Sequence, residues 1–436
     1  MDNFQLFAVA GHPVFHSQSP ALFNRAFAAA AFPGAYVRLA ARSPEEAMSF
    51  FRELGLRGMN VTAPFKAGIR RLVDETDDAA ARIGAVNAVV ADGPRTIGCN
   101  TDHQGVVGAL KTHGVGISGG HFVVLGAGGA GRAAAFGLTG EGATVTVVNR
   151  TAESADRAAA DFGCRAGRME DLGDLLRSAQ GLVSTISAPE TPVEPDWLRE
   201  DLVVLDAFYP RSPLARAAEK RGCRVIRGED WLLHQALPAY RLFTGLNPPE
   251  ADMAGALNPG GKLPRKARNV ALVGFMGSGK SAVAARLAPL LGLRCADIDA
   301  AVEKKEGSSV AGIFRSRGEA YFREAEKAQL RNLGLQEGWV VACGGGAVLD
   351  PENRRLLADN ATVVWLHCPL ARCLERIDPG TRPLLEGGDP ERTASRLFDT
   401  RLPLYAMTSD LVVRSGEAPD AVAAIIHEEI GPSLGP

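Results

Sequence analysis

The sequence predicts an α/β fold in which helices cover parallel sheets. Two observations predict it. Short valine-rich runs alternate with helix-length segments, and two glycine-rich turns each follow such a run and open a helix. Runs of this length are typical of buried strands, and their alternation with helices is typical of the α/β class. The runs are HFVVL, ATVTVV, LVVLD, NVALVG, WVVACG and TVVWLH.

The 436 residues allow about two to four domains. The first 100 residues alternate candidate strands, near 6–10, 36–39 and 59–61, with helices near 21–30 and 44–54. The glycine turns begin at Gly126 and Gly274, and a Pro- and Gly-rich stretch with a basic end separates their domains. We predict an α/β lobe over 1–102, onto which helices near 235–258 pack back, a second domain over 103–258, a linker over 259–268 and a third domain over 269–436. We expect each side of the linker to fold alone.

Composition excludes several classes of protein. Lys plus Arg is 48 and Asp plus Glu is 50, and this balance argues against a dedicated nucleic-acid-binding protein. The uncharged stretch 112–131 contains eight glycines, so it is a poor membrane span. The seven cysteines are dispersed, and no signal-peptide pattern opens the chain. We therefore expect a cytoplasmic protein with reduced thiols.

The first glycine turn has the spacing GxGxxG at Gly126, Gly128 and Gly131, between a strand and an Ala-rich helix. Such glycines let the backbone approach a pyrophosphate at the helix N-terminus, so this context predicts a dinucleotide site. The residues expected to form it are Gly126, Ala127, Gly128, Gly129, Ala130 and Gly131.

The strand that follows ends at Asn149, Arg150 and Thr151, which complete the predicted cofactor site. A site for NAD usually places an acidic residue here to accept a hydrogen bond from the ribose. Arg150 would instead suit the 2′-phosphate of NADP. The sequence therefore favours NADP over NAD.

Several polar clusters in the first lobe lie on turns. They are Ser17 and Ser19 in GHPVFHSQSPALFN, Asn60, Thr62 and Lys66 in NVTAPFK, Asn87 in GAVNA, and Asn100 and Asp102 in GCNTDHQG. Each cluster alone is more often structural, as when a serine before a proline caps a helix. Together and in this order, ahead of the dinucleotide turn, they resemble the shikimate dehydrogenase family over residues 1 to about 258.

This resemblance implies a role for each residue. Ser17 and Ser19 would hold the substrate carboxylate, and Lys66 and Asp102 would form the catalytic pair. Reduction of a ketone leaves an alkoxide that a Lys beside a carboxylate can protonate, while the nicotinamide carries the hydride. Further substrate contacts are expected from Asn60, Thr62, Asn87, Asp102, Tyr209 and Gln235.

Three positions depart from the family pattern. Ala88 replaces a Thr, the spacing from Tyr209 to Ser212 is two residues shorter than usual, and Asp230 replaces a Gly near the nicotinamide. A carboxylate at residue 230 could crowd or repel the cofactor. These departures affect the expected turnover and cofactor preference more than the expected fold.

The second glycine turn matches the phosphate-binding pattern GxxxxGK[ST] and follows a strand. Backbone N–H groups would cradle phosphates, Lys280 would reach the β and γ oxygens, and Ser281 would bind Mg²⁺. The nucleotide-binding residues expected here are Gly274, Gly277, Ser278, Gly279, Lys280 and Ser281.

Five further motifs follow in order: DID, GEAYFREAE, GGG, RPLL and RLPLY. With the phosphate-binding turn they resemble the shikimate kinase family over about residues 269–436, which implies a P-loop domain like those of nucleoside monophosphate kinases. By that resemblance Asp297 would support Mg²⁺, Arg382 would lie on a catalytic lid over ATP, and Asp299 and Lys280 would act in catalysis. Shikimate would be bound by Asp299, Arg323, Gly344, Gly345, Gly346 and Arg401.

The sequence thus predicts two consecutive enzymes of the shikimate pathway in one chain. The first, an N-terminal lobe with a Rossmann domain, would reduce 3-dehydroshikimate with NADPH, and the second would phosphorylate shikimate with ATP and Mg²⁺. One alternative is a quinate/shikimate dehydrogenase fused to the kinase, and another is an active kinase with a regulatory, catalytically weak dehydrogenase half. Small molecules are the expected partners. The oligomeric state and any transfer of shikimate between sites stay open.

Overall fold

The computed structural model describes residues 3–186, 191–209, 212–257, 268–334, 336–377, 383–385 and 389–434. These residues form two compact units. The first comprises 1–17, 33–56 and 264–436, and the second comprises 18–32 and 57–263. Within the described ranges, every helix is too short or too polar to cross a membrane.

The strands of the described part are β1 to β17 in chain order: Gln5–Gly11, Gly34–Ala40, Gly58–Val61, Glu75–Thr76, Ala88–Asp92, Arg95–Cys99, His121–Leu125, Thr144–Val148, Arg165–Gly167, Gly181–Ser184, Val203–Asp206, Arg224–Ile226, Val270–Val273, Arg294–Asp297, Trp339–Ala342, Thr362–His367 and Leu411–Arg414. All six valine-rich runs are strands, so the predicted α/β class is confirmed.

The α-helices of the same ranges are α1 to α18: Ser19–Ala29, Pro44–Glu53, Lys66–Ile69, Asp78–Ile83, Asp102–Thr112, Gly129–Gly140, Ala152–Phe162, Leu172–Ser178, Pro213–Lys220, Gly228–Thr244, Glu250–Ala256, Lys280–Leu291, Ile298–Glu306, Val310–Gly334, Pro351–Asn360, Leu370–Glu375, Pro390–Thr408 and Pro419–Leu434. Helix α14 is interrupted at Gly318, whose φ is 83°. The glycine therefore divides α14 into two helical segments.

The first unit is built on parallel strands in the order β14-β15-β13-β16-β17-β2-β1. Its central strands β13 and β16 are buried along their whole length, as expected for a parallel sheet covered on both faces. The phosphate-binding turn follows β13. Because the neighbouring strands are parallel to β13, their carboxyl ends lie at the same edge of the sheet as this turn.

A direct pairing joins the N-terminal segment to the predicted kinase half within this unit. Strand β17 pairs with β2, with Val412 opposite Leu39 and Val413 opposite Ala40. Beside this pairing, Glu53 of α2 accepts a hydrogen bond from Arg414 and lies 3.3 Å from His367 Nε2. The hydrogen bond from His367, with help from Arg414, lowers the pKa of Glu53 to about 2. The N-terminal segment thus extends the kinase sheet and is tied to it by charge.

The second unit contains a six-stranded parallel sheet in the order β12-β11-β10-β7-β8-β9. Numbered within this sheet, the order is 3-2-1-4-5-6 read from β9, which is the Rossmann arrangement. Apolar clusters cover both faces, one centred on Phe122 and Val147 and the other on Leu125 and Leu182. The dinucleotide turn follows β7, where the strand order reverses.

A smaller group of strands, in the order β3-β5-β6-β4, carries the remaining polar motifs of the second unit. Helix α10 packs against α5, and Gly105 makes this possible because a Cβ there would lie 2.6 Å from Trp231. Helix α11 is joined to α1 by an ion pair of 2.9 Å between Asp252 and Arg25. The helices that end the Rossmann segment therefore contact the predicted substrate lobe.

The two compact units do not coincide with the domains expected from the sequence. Residues 1–17 and 33–56 group with the kinase half and not with the remainder of the lobe. The pairing of β17 with β2 gives the physical reason, since it makes these residues part of the kinase sheet. The boundaries 1–102, 103–258, 259–268 and 269–436 stay a prediction about family modules, and most of the linker lies outside the described residues.

The shared sheet predicts that the two halves stabilise each other. Separation into fragments 1–257 and 268–436 would expose β2 and β17 as unpaired edges, which promote aggregation. We expect each fragment to be less soluble than the full chain and to unfold at least about 5 °C lower. Differential scanning fluorimetry, with the co-expressed fragments as a control for reassembly, measures this. Soluble fragments that unfold at the temperature of the full chain would contradict it.

Candidate active sites

The dinucleotide turn requires glycine at two of its three pattern positions. Gly126 has φ of 108°, a conformation that favours glycine, and a Cβ on it would collide with Thr185. A Cβ on Gly131 would overlap the carbonyl oxygen of Gly126. In front of Gly128 the space is open, so the N-terminus of α6 is accessible to a phosphate group.

The end of β8 is tied to this turn. Asn149 accepts a hydrogen bond of 3.1 Å from the backbone N–H of Ala127 and donates one of 3.0 Å to the carbonyl of Thr151. Arg150 lies between these two residues and is exposed. Because β7 and β8 are parallel neighbours with Leu125 opposite Val148, Arg150 stands at the edge of the sheet that carries the turn.

The predicted catalytic pair is formed. Lys66 Nζ lies 2.5 Å from Asp102 Oδ2, and the two side chains are 17% and 9% exposed. Lys66 begins α3 and Asp102 begins α5, so two helix starts meet here. A Cβ on Gly129 would lie 3.4 Å from the Cβ of Lys66. The dinucleotide turn therefore passes directly beside the pair.

A buried amide network holds the aspartate in place. Asn87 Nδ2 donates to Asp102 Oδ1 at 2.9 Å and to Gln235 Oε1 at 3.2 Å. Asn87 Oδ1 in turn accepts from the backbone N–H of Thr101 at 2.7 Å, and Asn60 donates to the Asn87 carbonyl at 3.2 Å. The structure thus brings together Asn60, Lys66, Asn87, Asp102 and Gln235 from four separate motifs.

Three residues of this network were not predicted as site residues. Thr101 shares the Gln235 amide oxygen at 3.3 Å, and Asn100 accepts from the Asp102 backbone N–H at 3.1 Å. Trp231 Nε1 donates to the Asp102 carbonyl at 2.9 Å. Asn100 and Thr101 stand in the NTD motif itself, so their position beside Asp102 was a usable signal. Trp231 had no comparable signal, because only the packing of α10 on α5 brings it there.

The remaining predicted residues of this half differ in how deeply they are buried. Thr62 is half-buried, and its carbonyl accepts from the N–H of Phe65 at 3.1 Å. Tyr209 is half-buried after β11, and Ser19 is buried at the start of α1. Ser17 is buried within the first unit.

Asp230, which the sequence placed near the nicotinamide, has a local structural role. Its Oδ2 accepts a hydrogen bond of 3.2 Å from the backbone N–H of Arg227 at the start of α10. Its Oδ1 lies 3.4 Å from His113 Nε2. The carboxylate therefore caps a helix and faces a histidine, which accounts for an acidic residue at this position.

The phosphate-binding turn has the backbone geometry that its glycines predict. Gly274 has φ of 147° and Gly277 has φ of 77°, and Cβ atoms there would lie 2.6 Å from the Leu366 carbonyl oxygen and 2.5 Å from that of Cys373. Lys280 begins α12, and its Nζ donates to the carbonyls of Gly274 and Phe275 at 3.0 and 2.9 Å. Ser278 is buried, and in front of Gly279 the space is open.

The two predicted metal ligands meet beside this turn. Ser281 Oγ donates to Asp297 Oδ2 at 2.5 Å, and Asp297 Oδ1 accepts from the Ala300 N–H at 3.1 Å. A hydroxyl and a carboxylate next to a phosphate cradle are the oxygen ligands that Mg²⁺ takes in nucleotide sites, so these residues fit the ion. Within the described ranges, three or more His, Cys, Asp or Glu residues nowhere form a metal-binding cluster.

A cleft in the predicted kinase half brings together the residues expected to bind shikimate, the phosphate acceptor. Arg323 donates to Glu319 at 2.9 Å and to Glu326 at 2.9 Å. Burial opposes the charge of Arg323, but Glu326 and Glu319 outweigh this effect and raise the pKa of the guanidinium. Burial raises the pKa of the Glu326 carboxyl, and Arg323 opposes that shift. Asp299 lines the same cleft.

The triple glycine fits closely around these side chains. A Cβ on Gly344 would collide with Glu326 and lie 2.8 Å from Asp299 Oδ1, and a Cβ on Gly346 would lie 2.5 Å from Arg323 Cζ. The absence of side chains here therefore lets charged groups from α13 and α14 reach the cleft.

Helix α17 closes the other side of the cleft. Buried Arg401 donates to the Gly345 carbonyl at 3.3 Å, and the Tyr405 hydroxyl donates to the same oxygen at 2.6 Å. The charged glycine-lined cleft thus combines Asp299, Arg323 and Arg401, as predicted. Arg382, the predicted lid residue, lies outside the described residues.

Glu326 and Tyr405 are cleft residues that the sequence prediction omitted. Both residues belong to motifs on which the resemblance rests, GEAYFREAE and RLPLY, so the sequence contained the information needed to predict them. Glu326 follows Arg323 by three residues, a spacing that brings two side chains together on one face of a helix. A charge-pair search along α14 would have found it.

The fold and the two sites define a class of protein: a dinucleotide-dependent oxidoreductase and a P-loop phosphotransferase in one chain. Residues 9–89 match the substrate-binding domain of shikimate dehydrogenase, residues 109–226 match shikimate/quinate 5-dehydrogenase, and residues 276–431 match shikimate kinase. The chain belongs to the shikimate dehydrogenase family and carries a shikimate kinase domain behind it. The predicted pairing of these two enzymes is confirmed.

Relatives support the dehydrogenase assignment over nearly their whole length. An NADP(+) shikimate dehydrogenase of Halobacterium salinarum is 42% identical over 265 residues, which are 58% of this chain and 98% of that protein. The solved shikimate dehydrogenase of Aquifex aeolicus is 32% identical with a TM-score of 0.55, covering 58% of this chain and 97% of its own. That of Thermus thermophilus, solved with NADP(H) and shikimate, is 36% identical with a TM-score of 0.53 and covers 58% and 98%.

Proposed function

We propose that the chain reduces 3-dehydroshikimate to shikimate with NADPH and then phosphorylates shikimate with ATP. The observation that carries the first activity is the Lys66–Asp102 pair, which is bonded into the Asn87–Gln235 network directly beside the dinucleotide turn. The second rests on the cleft where Asp299, Arg323 and Arg401 meet the triple glycine next to a P-loop.

In the dehydrogenase site Lys66 acts as the proton donor. The reduced cofactor supplies the hydride, and the oxygen of the former ketone then needs a proton. Lys66 Nζ donates that proton, and Asp102, at 2.5 Å, holds the ammonium group in place. Asn87 donates to Asp102 and orients it, and Gln235 accepts a hydrogen bond from Asn87. Asn87 and Gln235 contact the ring hydroxyls, while Ser17 and Ser19 bind the carboxylate. Asn60, Thr62 and Tyr209 complete the substrate contacts.

The cofactor side of this site suits NADP. The open N-terminus of α6 beside Gly128 receives the pyrophosphate. Exposed Arg150 stands where the ribose 2′-phosphate would arrive, and Asn149 fixes its neighbourhood by holding the turn. A planar guanidinium donates two parallel hydrogen bonds to two oxygens of a phosphate. A ribose hydroxyl has only one oxygen and cannot accept both in this way.

In the kinase site Arg323 and Arg401 bind the shikimate carboxylate and fix the ring. Asp299 then accepts the proton of the hydroxyl that attacks the γ-phosphate. Ser281 and Asp297 would hold Mg²⁺, which neutralises charge on the phosphates. Lys280 leaves the turn carbonyls to contact the phosphate oxygens, and Arg382 closes over ATP.

The alternatives from the sequence are not favoured. The relatives that are about 40% identical, such as that of Halobacterium salinarum, are shikimate dehydrogenases over nearly their whole length, and Lys66 and Asp102 are paired. All seven cysteines are free thiols, so we propose a cytoplasmic location with small molecules as partners. Asp230 caps α10, which gives this carboxylate a structural role.

The proton-transfer role predicts the effect of Lys66→Ala. We expect dehydrogenase turnover to fall by roughly 10²–10⁴-fold, the usual range for a positioned acid–base group. Kinase turnover in the same preparation reports correct folding, and Lys111→Ala, an exposed lysine of α5, is the matched control. A Lys66→Ala enzyme with near-normal dehydrogenase turnover would refute the role.

The 2′-phosphate role predicts the effect of Arg150→Ala. We expect the KM for NADPH to rise about tenfold or more, because a charge-assisted hydrogen bond to the 2′-phosphate is lost. The KM for NADH should change little. Arg157→Ala, an exposed arginine of the next helix, should leave both values unchanged. Equal efficiency of the unmodified enzyme with NADPH and NADH would show that the assignment is wrong.

The kinase roles predict a split between binding and turnover. Arg323→Ala and Arg401→Ala should raise the kinase KM for shikimate about tenfold or more, because each removes a charged contact to the substrate. Arg382→Ala should lower kcat with little effect on that KM, since its charge acts only in the transition state. ADP formation with varied shikimate measures both, and Arg331→Ala serves as an exposed control on α14. The opposite pattern would mean that the roles are reversed.

A further inference from the structure

A buried carboxylate of the kinase half binds the backbone of the loop after β1. Glu429 Oε2, on the C-terminal helix α18, accepts hydrogen bonds from the N–H groups of Val14 at 2.8 Å and Phe15 at 2.9 Å. The Glu429 side chain is fully buried. Two successive backbone N–H groups that converge on one anion form a charge-assisted contact, which is stronger than a neutral hydrogen bond.

The loop has a second attachment to the kinase half. Arg38 of β2 donates to the Ser17 carbonyl from Nε at 3.0 Å and from Nη2 at 2.7 Å. Its third nitrogen, Nη1, donates to the Asp410 carbonyl at 3.1 Å. One guanidinium therefore links the end of the loop to the residue that precedes β17.

Asp410 is itself firmly held. Its backbone N–H donates to the Val363 carbonyl at 2.8 Å, and its Oδ2 accepts from the Val363 N–H at 2.8 Å. Val363 belongs to β16, a central strand of the kinase sheet. The chain of contacts thus runs from the sheet through Asp410 and Arg38 to the backbone of Ser17.

The loop between these two attachments is short and buried. Val14, Phe15 and Ser17 are at most 6% exposed, and the Ser17 N–H donates to the Val14 carbonyl at 3.0 Å. Displacement of the Val14 and Phe15 backbone must therefore also displace Ser17. These contacts fix the backbone position of Ser17.

We propose that Glu429 of the kinase half is a positioning residue for substrate binding in the dehydrogenase half, acting through the loop that carries Ser17. This proposal rests on the proposed function, in which Ser17 binds the carboxylate of 3-dehydroshikimate. Arg38 is the second positioning residue, and it takes its support from Asp410.

The experiment measures steady-state dehydrogenase kinetics of full-length Glu429→Ala. Loss of the anion leaves two buried N–H groups without their acceptor, so we expect the KM for 3-dehydroshikimate to rise about tenfold. The kcat should stay within about threefold, and the KM for NADPH should not change, because the catalytic pair and the dinucleotide turn are untouched. Kinase kinetics and the unfolding temperature report whether the variant is folded.

Three further variants separate positioning from general damage. Glu429→Gln keeps an oxygen that can accept both N–H groups, so it should restore most of the lost affinity. His427→Gln changes an exposed residue of the same helix and should behave as the unmodified enzyme. Arg38→Lys keeps the positive charge but loses the guanidinium that bonds both the Ser17 and the Asp410 carbonyls. It should therefore raise the KM for 3-dehydroshikimate as well. If Glu429→Ala does not fold, this variant tests the proposal in its place.

A double-mutant cycle with Ser17→Ala tests the route of the effect. If Glu429 acts through Ser17, the double variant should bind 3-dehydroshikimate no more weakly than Ser17→Ala alone. Additive losses, or an unchanged KM in folded Glu429→Ala and Arg38→Lys, would overturn the inference. An unchanged KM in Ser17→Ala would instead refute the role of Ser17 in the proposed function, so the two failures are distinguishable.

Discussion

Both active sites depend on one constraint: the tight turn that opens a helix N-terminus at the edge of a parallel sheet can form only where no Cβ collides with the neighbouring backbone. The constraint is visible at Gly131, where a Cβ would overlap the Gly126 carbonyl, and at Gly277, where it would lie 2.5 Å from that of Cys373. Once these turns have formed, few positions in the chain lie close enough to them to carry the catalytic groups. Lys66 packs beside Gly129, and Ser281 lies in the first turn of the helix that the second turn opens.

Charge is handled differently in the two sites. In the dehydrogenase site one ion pair, Lys66 with Asp102, is surrounded by neutral amides that satisfy the second carboxylate oxygen. In the kinase cleft Arg323 is shared between Glu319 and Glu326, and a substrate carboxylate must compete with them. Burial raises the pKa of the Glu326 carboxyl, and Arg323 opposes that shift. The first site thus pairs its lysine with one carboxylate, whereas the second shares its arginine between two.

The sequence predicted the elements and the motif residues well because each is local. The run HFVVL is a strand as predicted, and the pattern glycines have the conformations that their motifs require. Trp231 was missed because its bond to the Asp102 carbonyl depends on the packing of two helices that lie far apart in the sequence. The pairing of β17 with β2 was missed for the same reason, since no local pattern shows which strand will cover an edge.

The pairing of β17 with β2 joins an edge of the kinase sheet to the N-terminal segment. An unpaired edge strand in each half would invite association with other chains, and pairing the edges with each other removes both. The residues around the pairing then acquire new partners: Arg414 meets Glu53, and Asp410 meets Arg38. Arg38 also donates to the Ser17 carbonyl, so the contacts around the paired edges reach the loop that carries Ser17. A side chain of β2 therefore connects this loop to the residue that precedes β17.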